Sequence, residues 1–305
     1  MLESSAVTTI TNAFYRNANA ASYASVLFTG SASTAAASTA RQSVSSSESE
    51  TGVSTAAQKA LARITEILAL GNGTADDGAG VSETYGYITS ATGTEDDDKL
   101  TLTGRAVSNL TSGGGDDTVM IKSDTVSNID SGEGNDTLQI KGELINDIQA
   151  GSGDDKIELA AKLVLDVSGG DGNDDIKVSG DTLINIDGGD GDDRMYLEGN
   201  RIFASGGAGN DTVTIHQTGK DSVAEYTFGK GDGQDTVASD GSLSVRFDGY
   251  TEDDLSISVI GNVLTARVKG SDDKISVTLA NEALNDGKLT YAFAMDQGQT
   301  VLKIG

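Results

Sequence analysis

Residues 169–177 read Gly-Gly-Asp-Gly-Asn-Asp-Asp-Ile-Lys, and the hexamer that opens this stretch recurs five more times along the chain. Residues 112–117 read SGGGDD, 131–136 SGEGND, 150–155 AGSGDD, 188–193 GGDGDD and 206–211 GGAGND. The aspartates that close the hexamers are Asp117, Asp136, Asp155, Asp174, Asp193 and Asp211, spaced by 19, 19, 19, 19 and 18. Two positions after each stands an apolar residue: Val119, Leu138, Ile157, Ile176, Met195, Val213. A fixed short period of this kind predicts stacked coils, each too small to bury an apolar side alone, rather than a globule around one central core.

The remainder of each repeat keeps register. Further apolar columns run Ile121, Ile140, Leu159, Val178, Leu197, Ile215; then Val107, Val126, Ile145, Val164, Leu183, Ile202; then Leu110, Ile129, Ile148, Val167, Ile186, ending at Ser205. One coil is therefore a glycine turn, a short strand, a second turn and a second short strand. Asn109, Asn128, Asp147, Asp166 and Asn185 form a polar column just before the last apolar one. It reads either as solvated turn residues or as an internal side-chain ladder.

The glycine turns are candidate cation sites. Glycine lets the chain turn tightly and present its carbonyls, and carboxylate plus carbonyl oxygens suit a hard divalent cation. The candidate ligands are Gly113, Gly115 and Asp117; Gly132, Gly134, Asn135 and Asp136; Gly151, Gly153, Asp154 and Asp155; Gly170, Gly172, Asn173 and Asp174; Gly189, Gly191, Asp192 and Asp193; and Gly207, Gly209, Asn210 and Asp211. Asp98 precedes Asp117 by the same interval that separates Asp117 from Asp136, in a turn that keeps only Gly93. Asp235 restores the motif after a longer gap. The competing reading is an ion-free solenoid with acidic turns.

The nonapeptides 169–177 and 188–196 match G-G-x-G-x-D-x-U-x, the repeat of the calcium-binding parallel β-roll. This stretch resembles the repeats-in-toxin (RTX) family with its haemolysin-type repeats. The resemblance implies Ca2+ as the cofactor, several ions lying between successive turns, in a right-handed parallel β-roll. The family has two nonapeptides per coil; this chain has one, and its opposite turns (122–124, 141–143, 161–162, 179–181, 198–200) lack the motif. The implied calcium therefore lies along one edge only. Residues 226–237, YTFGKGDGQDTV, look like the element that closes many RTX regions before a C-terminal β domain. The resemblance further implies secretion through a type I exporter, with an uncleaved signal expected within residues 281–305.

Charge agrees. The chain carries 47 acidic and 21 basic residues, a net charge of −26; residues 93–240 alone hold 31 acidic and 11 basic. Self-repulsion of that size opposes compaction. About six divalent ions would cut the local charge from roughly −20 to roughly −8 and couple binding to folding. No basic stripe exists, so nucleic acid is not an expected partner. There is no Cys and no Pro, hence no thiol chemistry and no slow prolyl isomerisation. No run approaches a membrane span. Residues 1–5 show neither a basic start nor an apolar core, so a cleaved secretory signal is not expected.

Three regions follow. Residues 1–90 are rich in Ala, Ser and Thr, with a helix expected near 55–70: Thr55 to Gln58 fits a capping box, and Leu61, Ile64 and Leu68 share a face. Residues 91–240 are the roll. Residues 241–305 alternate as antiparallel strands, with a hairpin turn at Gly261-Asn262, and would cap the open end. The fold class expected is all-β, a β-solenoid with a C-terminal β cap.

Catalytic signals are few. His216 is the one histidine, and no H-E-x-x-H, G-x-S-x-G or P-loop occurs. Acidic pairs such as Asp192-Asp193 recur in the repeats, which fits turns better than a glycosidase pair. Lys162, Lys177, Arg194 and Arg201 share no single column, which weighs against a polysaccharide-modifying face. The expectation is a secreted, extracellular, non-enzymatic protein with a structural or interaction role at the cell surface or matrix and a possible polysaccharide partner. The alternatives are a membrane-active effector working through residues 1–90, and a carbohydrate-binding accessory module or polysaccharide-modifying enzyme.

Overall fold

The computed structural model describes residues 80–305; the helix expected near 55–70 lies outside them. Strands dominate, forming a parallel β-solenoid of about eight turns with roughly 19-residue spacing and mixed antiparallel strands at the C-terminal end. From residue 137 on, each coil gives one strand to each of two parallel stacks, while Lys99–Gly114 and Thr118–Glu133 each run unbroken through both. Thr137–Lys141, Lys156–Ala160, Asp175–Ser179 and Arg194–Gly199 follow one another in the first stack, with Leu138, Ile157, Ile176 and Met195 in direct register. Leu144–Ser152, Leu163–Asp171, Thr182–Asp190 and Arg201–Ala208 follow in the second, with Ile145, Val164, Leu183 and Ile202 in register.

The alternation of apolar and polar residues sets which side faces in. Leu138 and Ile140 are buried while Gln139 between them is exposed. All four apolar columns are buried down to Ile186, in one continuous core. Each fully buried Leu or Ile contributes about 1.5–3 kcal/mol, yet no coil holds more than a handful, so stability comes from stacking.

The polar column Asn109, Asn128, Asp147, Asp166 and Asn185 is a line of left-handed bends, with φ between +52° and +59°. Asn and Asp tolerate this region where branched residues do not. These residues sit between paired positions and have no inter-coil register partner: Ser108 pairs with Ser127 and Leu110 with Ile129. The ladder reading holds in part, since Asn128 Nδ2 donates to Asn109 Oδ1 at 2.6 Å and Asn185 Nδ2 to Asp166 Oδ1 at 2.9 Å. The same bend explains the one shorter interval, between Asp193 and Asp211. Ile184 pairs with Phe203 and Ile186 with Ala204, so the shorter coil has lost the left-handed residue alone.

The stack begins ahead of residue 91, with Gly80–Ile88 parallel to Lys99–Gly114. At the other end it runs past residue 240. Leu243–Phe247 extends the second stack beside Val223–Phe228, and Lys274–Leu279 extends the first beside Gln234–Ser239. The sheet then turns antiparallel: Leu243–Phe247 pairs with Gln299–Ile304, and Leu255–Ile260 with Val263–Val268 through the expected turn, where Gly261 has φ +64°. Phe228 and Phe247 close the core edge to face, their ring centroids 6.1 Å apart.

Candidate functional site

Along one edge the glycine turns stack backbone on backbone. The two glycines of each hexamer named above as candidates all have positive φ, between +96° and +146°. A Cβ on Gly170 would lie 1.9 Å from Gly151 O, closer than any real contact. The motif needs glycine there both for its φ and for the approach of the next coil.

Each hexamer turns its last aspartate inward. Asp117, Asp136, Asp155, Asp174, Asp193 and Asp211 are at most 2% exposed. Their Oδ1 atoms form a regular ladder: the main-chain N–H of Asp98 donates to Asp117, Asp117 to Asp136, Asp136 to Asp155, and so on to Asp193 and Asp211, at 2.7–2.9 Å. The other oxygen of each carboxylate is different. The six Oδ2 atoms of these residues are buried and accept no hydrogen bond. Ser112 and Ser131 stand beside the first two and ease their ionisation, but their hydroxyls donate to the carbonyls of Ser131 and Ala150. Further along, Gly169, Gly188 and Gly206 take that place; a Cβ on any of them would lie 2.0–2.2 Å from the Oδ2 of Asp174, Asp193 or Asp211.

Burial pushes these carboxyl groups up, Asp136 and Asp174 to about 6, Asp155 and Asp193 to about 7. The accepted N–H bonds oppose the rise, and neighbouring carboxylates add to it. Asp117, Asp211 and Asp235 also move up, again chiefly through burial.

The residue before each inner aspartate forms a second, exposed ladder. Asp116, Asn135, Asp154, Asn173, Asp192 and Asn210 alternate acid and amide. Each Oδ1 from Asp116 to Asp192 accepts the main-chain N–H of the next, at 2.8–2.9 Å, and each Asn also donates Nδ2 to the Asp before it. Asp154 and Asp192 are thereby held below the usual carboxylate range. The alternation separates like charges that an all-Asp column would place one above another. It was legible in the sequence as D-N-D-N-D-N.

The ends of the inner column differ from its middle. Asp98 Oδ2 accepts Thr94 N at 2.6 Å and Thr94 Oγ1 at 2.9 Å. Asp235 Oδ1 accepts Asp211 N at 3.1 Å, and its Oδ2 accepts the Tyr226 hydroxyl at 2.6 Å. Tyr226 is fully buried, and its oxygen also accepts Gly206 N at 2.9 Å. Neither Thr94 nor Tyr226 stands out in a search for ligands, because each matters only through the carboxylate it meets.

The opposite turns carry no comparable oxygen stack: Glu143 and Lys162 pair there in solvent. His216 Nδ1 meets Asp240 Oδ2, with both side chains well exposed, and Asp240 Oδ1 is taken by Gln217 N at 2.8 Å.

Among the described residues no three acidic side chains converge on one point. An ion on this edge would draw on one or two carboxylates together with main-chain oxygens. The donor set fits a hard cation: it is all oxygen, anionic and partly unpartnered. The fold and the stack of buried aspartates define a parallel β-solenoid compatible with a β-roll. Comparisons with protein-family models, curated proteins and solved structures return no match.

Proposed function

We propose that this chain is a calcium-binding β-roll of the repeats-in-toxin kind, secreted and folded by calcium outside the cell, with a structural or interaction role rather than a catalytic one. The observation that supports it is the column of six buried carboxylate oxygens without a donor. A buried ionised carboxylate with one oxygen unpartnered is costly. Protons are one remedy, but groups whose pKa lies at about 6–7 are largely ionised above neutral pH. A cation is the other.

Asp117, Asp136, Asp155, Asp174, Asp193 and Asp211 would hold the ions, with carbonyls of the intervening glycines. The ions would supply positive charge to the inner column and offset part of the repulsion along the roll. Calcium suits the site better than magnesium because it accepts irregular oxygen sets and sheds water readily. Export through a type I system and a cell-surface or matrix role rest on the family resemblance.

Far-UV circular dichroism of the full chain tests the reading. In excess chelator the spectrum should be largely coil, and calcium at about 1 mM, within the weak extracellular range, should convert it to β. Magnesium at the same concentration should do much less. A β-rich spectrum in chelator that calcium leaves unchanged would sink the proposal.

A further inference from the structure

Eight aspartates stand in the inner column, counting Asp98 and Asp235 at its ends, and they are not equivalent. The middle six each keep an Oδ2 with no donor. The two at the ends do not. Thr94, standing where the hexamers from 112 to 211 carry Gly, turns its N–H and hydroxyl onto Asp98 Oδ2. Tyr226 brings a hydroxyl through the core to Asp235 Oδ2 and is itself anchored by Gly206 N. Gly206 is the residue whose place the Ser112 and Ser131 side chains fill in the first coils, and a Cβ there would lie 2.6 Å from the Tyr226 hydroxyl. The Tyr226 hydroxyl thus stands in the space that Gly206 leaves beside Asp211, and donates to Asp235 rather than to Asp211.

We infer that the chain's own donors close the ion column at both ends, so that cations are confined to Asp117 through Asp211 while Asp98 and Asp235 serve as hydrogen-bond caps. This rests on the calcium reading above. The physical reason is substitution of one positive partner for another. A phenol hydroxyl 2.6 Å from a buried carboxylate satisfies the oxygen that an ion would otherwise neutralise. It also fills the volume an ion would need. Phe228 and Phe247 pack in the same core, so this coil is held together by aromatic burial and a neutral donor. The junction between the roll and the C-terminal strands would then be formed before any ion binds, and would serve as the template on which the calcium-dependent coils stack.

The test is the number of calcium ions bound per full-length chain, measured by equilibrium dialysis with metal analysis at saturating calcium. Asp155→Asn should bind fewer ions than the unaltered chain. Asp235→Asn should bind the same number, and so should Asp98→Asn. Tyr226→Phe, which removes one oxygen and keeps the ring, should bind about one more. Should Tyr226→Phe fail to fold, the comparison of Asp235→Asn with Asp155→Asn still decides. Loss of an ion in Asp235→Asn equal to that in Asp155→Asn would overturn the inference, as would an unchanged count in a folded Tyr226→Phe. An unaltered chain that binds no calcium would instead overturn the calcium reading itself, and the inference with it.

Discussion

Asp155 accepts the main-chain N–H of Asp136 through Oδ1 at 2.7 Å, while its Oδ2 is buried without a donor. The two oxygens of one carboxylate therefore do different work. The first ties a coil to its neighbour in the way a ladder bond does. The second is a localised cost that the fold retains six times over.

The pH dependence of the ion-free chain follows from this. In unfolded chain an Asp titrates near 3.9; in the roll Asp136, Asp155, Asp174 and Asp193 titrate at about 6–7. Between roughly pH 4 and pH 7 the folded state binds more protons than the unfolded one, so stability falls as pH rises across that window. Any residual fold in chelator should thus melt at a lower temperature at pH 7.5 than at pH 4.5. Calcium should flatten or reverse the trend. A melting temperature in chelator that climbs over this range would contradict the assignment.

Glycine at the turn is required by the next coil as much as by its own φ. Gly170→Ala places a Cβ 1.9 Å from Gly151 O at φ +114°, and should cost on the order of 2–4 kcal/mol. Gly86→Ala meets nothing within 4 Å and should change stability by no more than about 0.5 kcal/mol. Calcium-saturated thermal melts of the two variants make the comparison.

The two edges of the roll should respond differently to loss of a carboxylate. Asp155→Ala leaves the Asp136 N–H unpaired and removes a candidate ligand. Asp124 lies on the opposite edge, within the strand Thr118–Glu133, and is exposed, so Asp124→Ala should shift the calcium midpoint little. Equal shifts in the two variants would rule out a one-sided column.

The C-terminal strands should govern how much calcium the roll needs. Chain ending at residue 240 would lose the partners of Val223–Phe228 and Gln234–Ser239, leaving two open strand edges. Such a truncation should aggregate or require more calcium to fold. Within the full chain, Phe247→Ala should destabilise this end by about 3–5 kcal/mol. A soluble truncation with an unchanged calcium midpoint would show the coils to be self-sufficient.

Much of this was legible in the residues, and the reason is periodicity. Val119, Leu138, Ile157 and Ile176 recur at one position of a repeat, and only stacking can bury such a column. What escaped depends on contacts that no period announces. Asp98 and Asp235 share the register of the middle six, and nothing in the repeat announces that Thr94 and Tyr226 donate to their second oxygens. Asn135, Asp154, Asn173, Asp192 and Asn210 fit the motif as candidate ligands, and the repeat does not announce that their Oδ1 atoms also accept main-chain N–H groups along the edge. The column at Asn109 could be read as turn or ladder because a left-handed bend within a strand leaves the same polar signature as either.

The most direct test of the central claim is the stability of Asp155→Asn relative to the unaltered chain, measured at pH 8 once in chelator and once in saturating calcium. The amide keeps an acceptor for the Asp136 N–H but removes the buried charge. In chelator that charge is a burden, so the variant should keep more residual β signal than the unaltered chain. In calcium the charge is a ligand, so the variant should melt at a lower temperature than the unaltered chain. A reversal of sign between the two conditions is the predicted result; the same sign in both would show that the inner aspartates do not hold calcium.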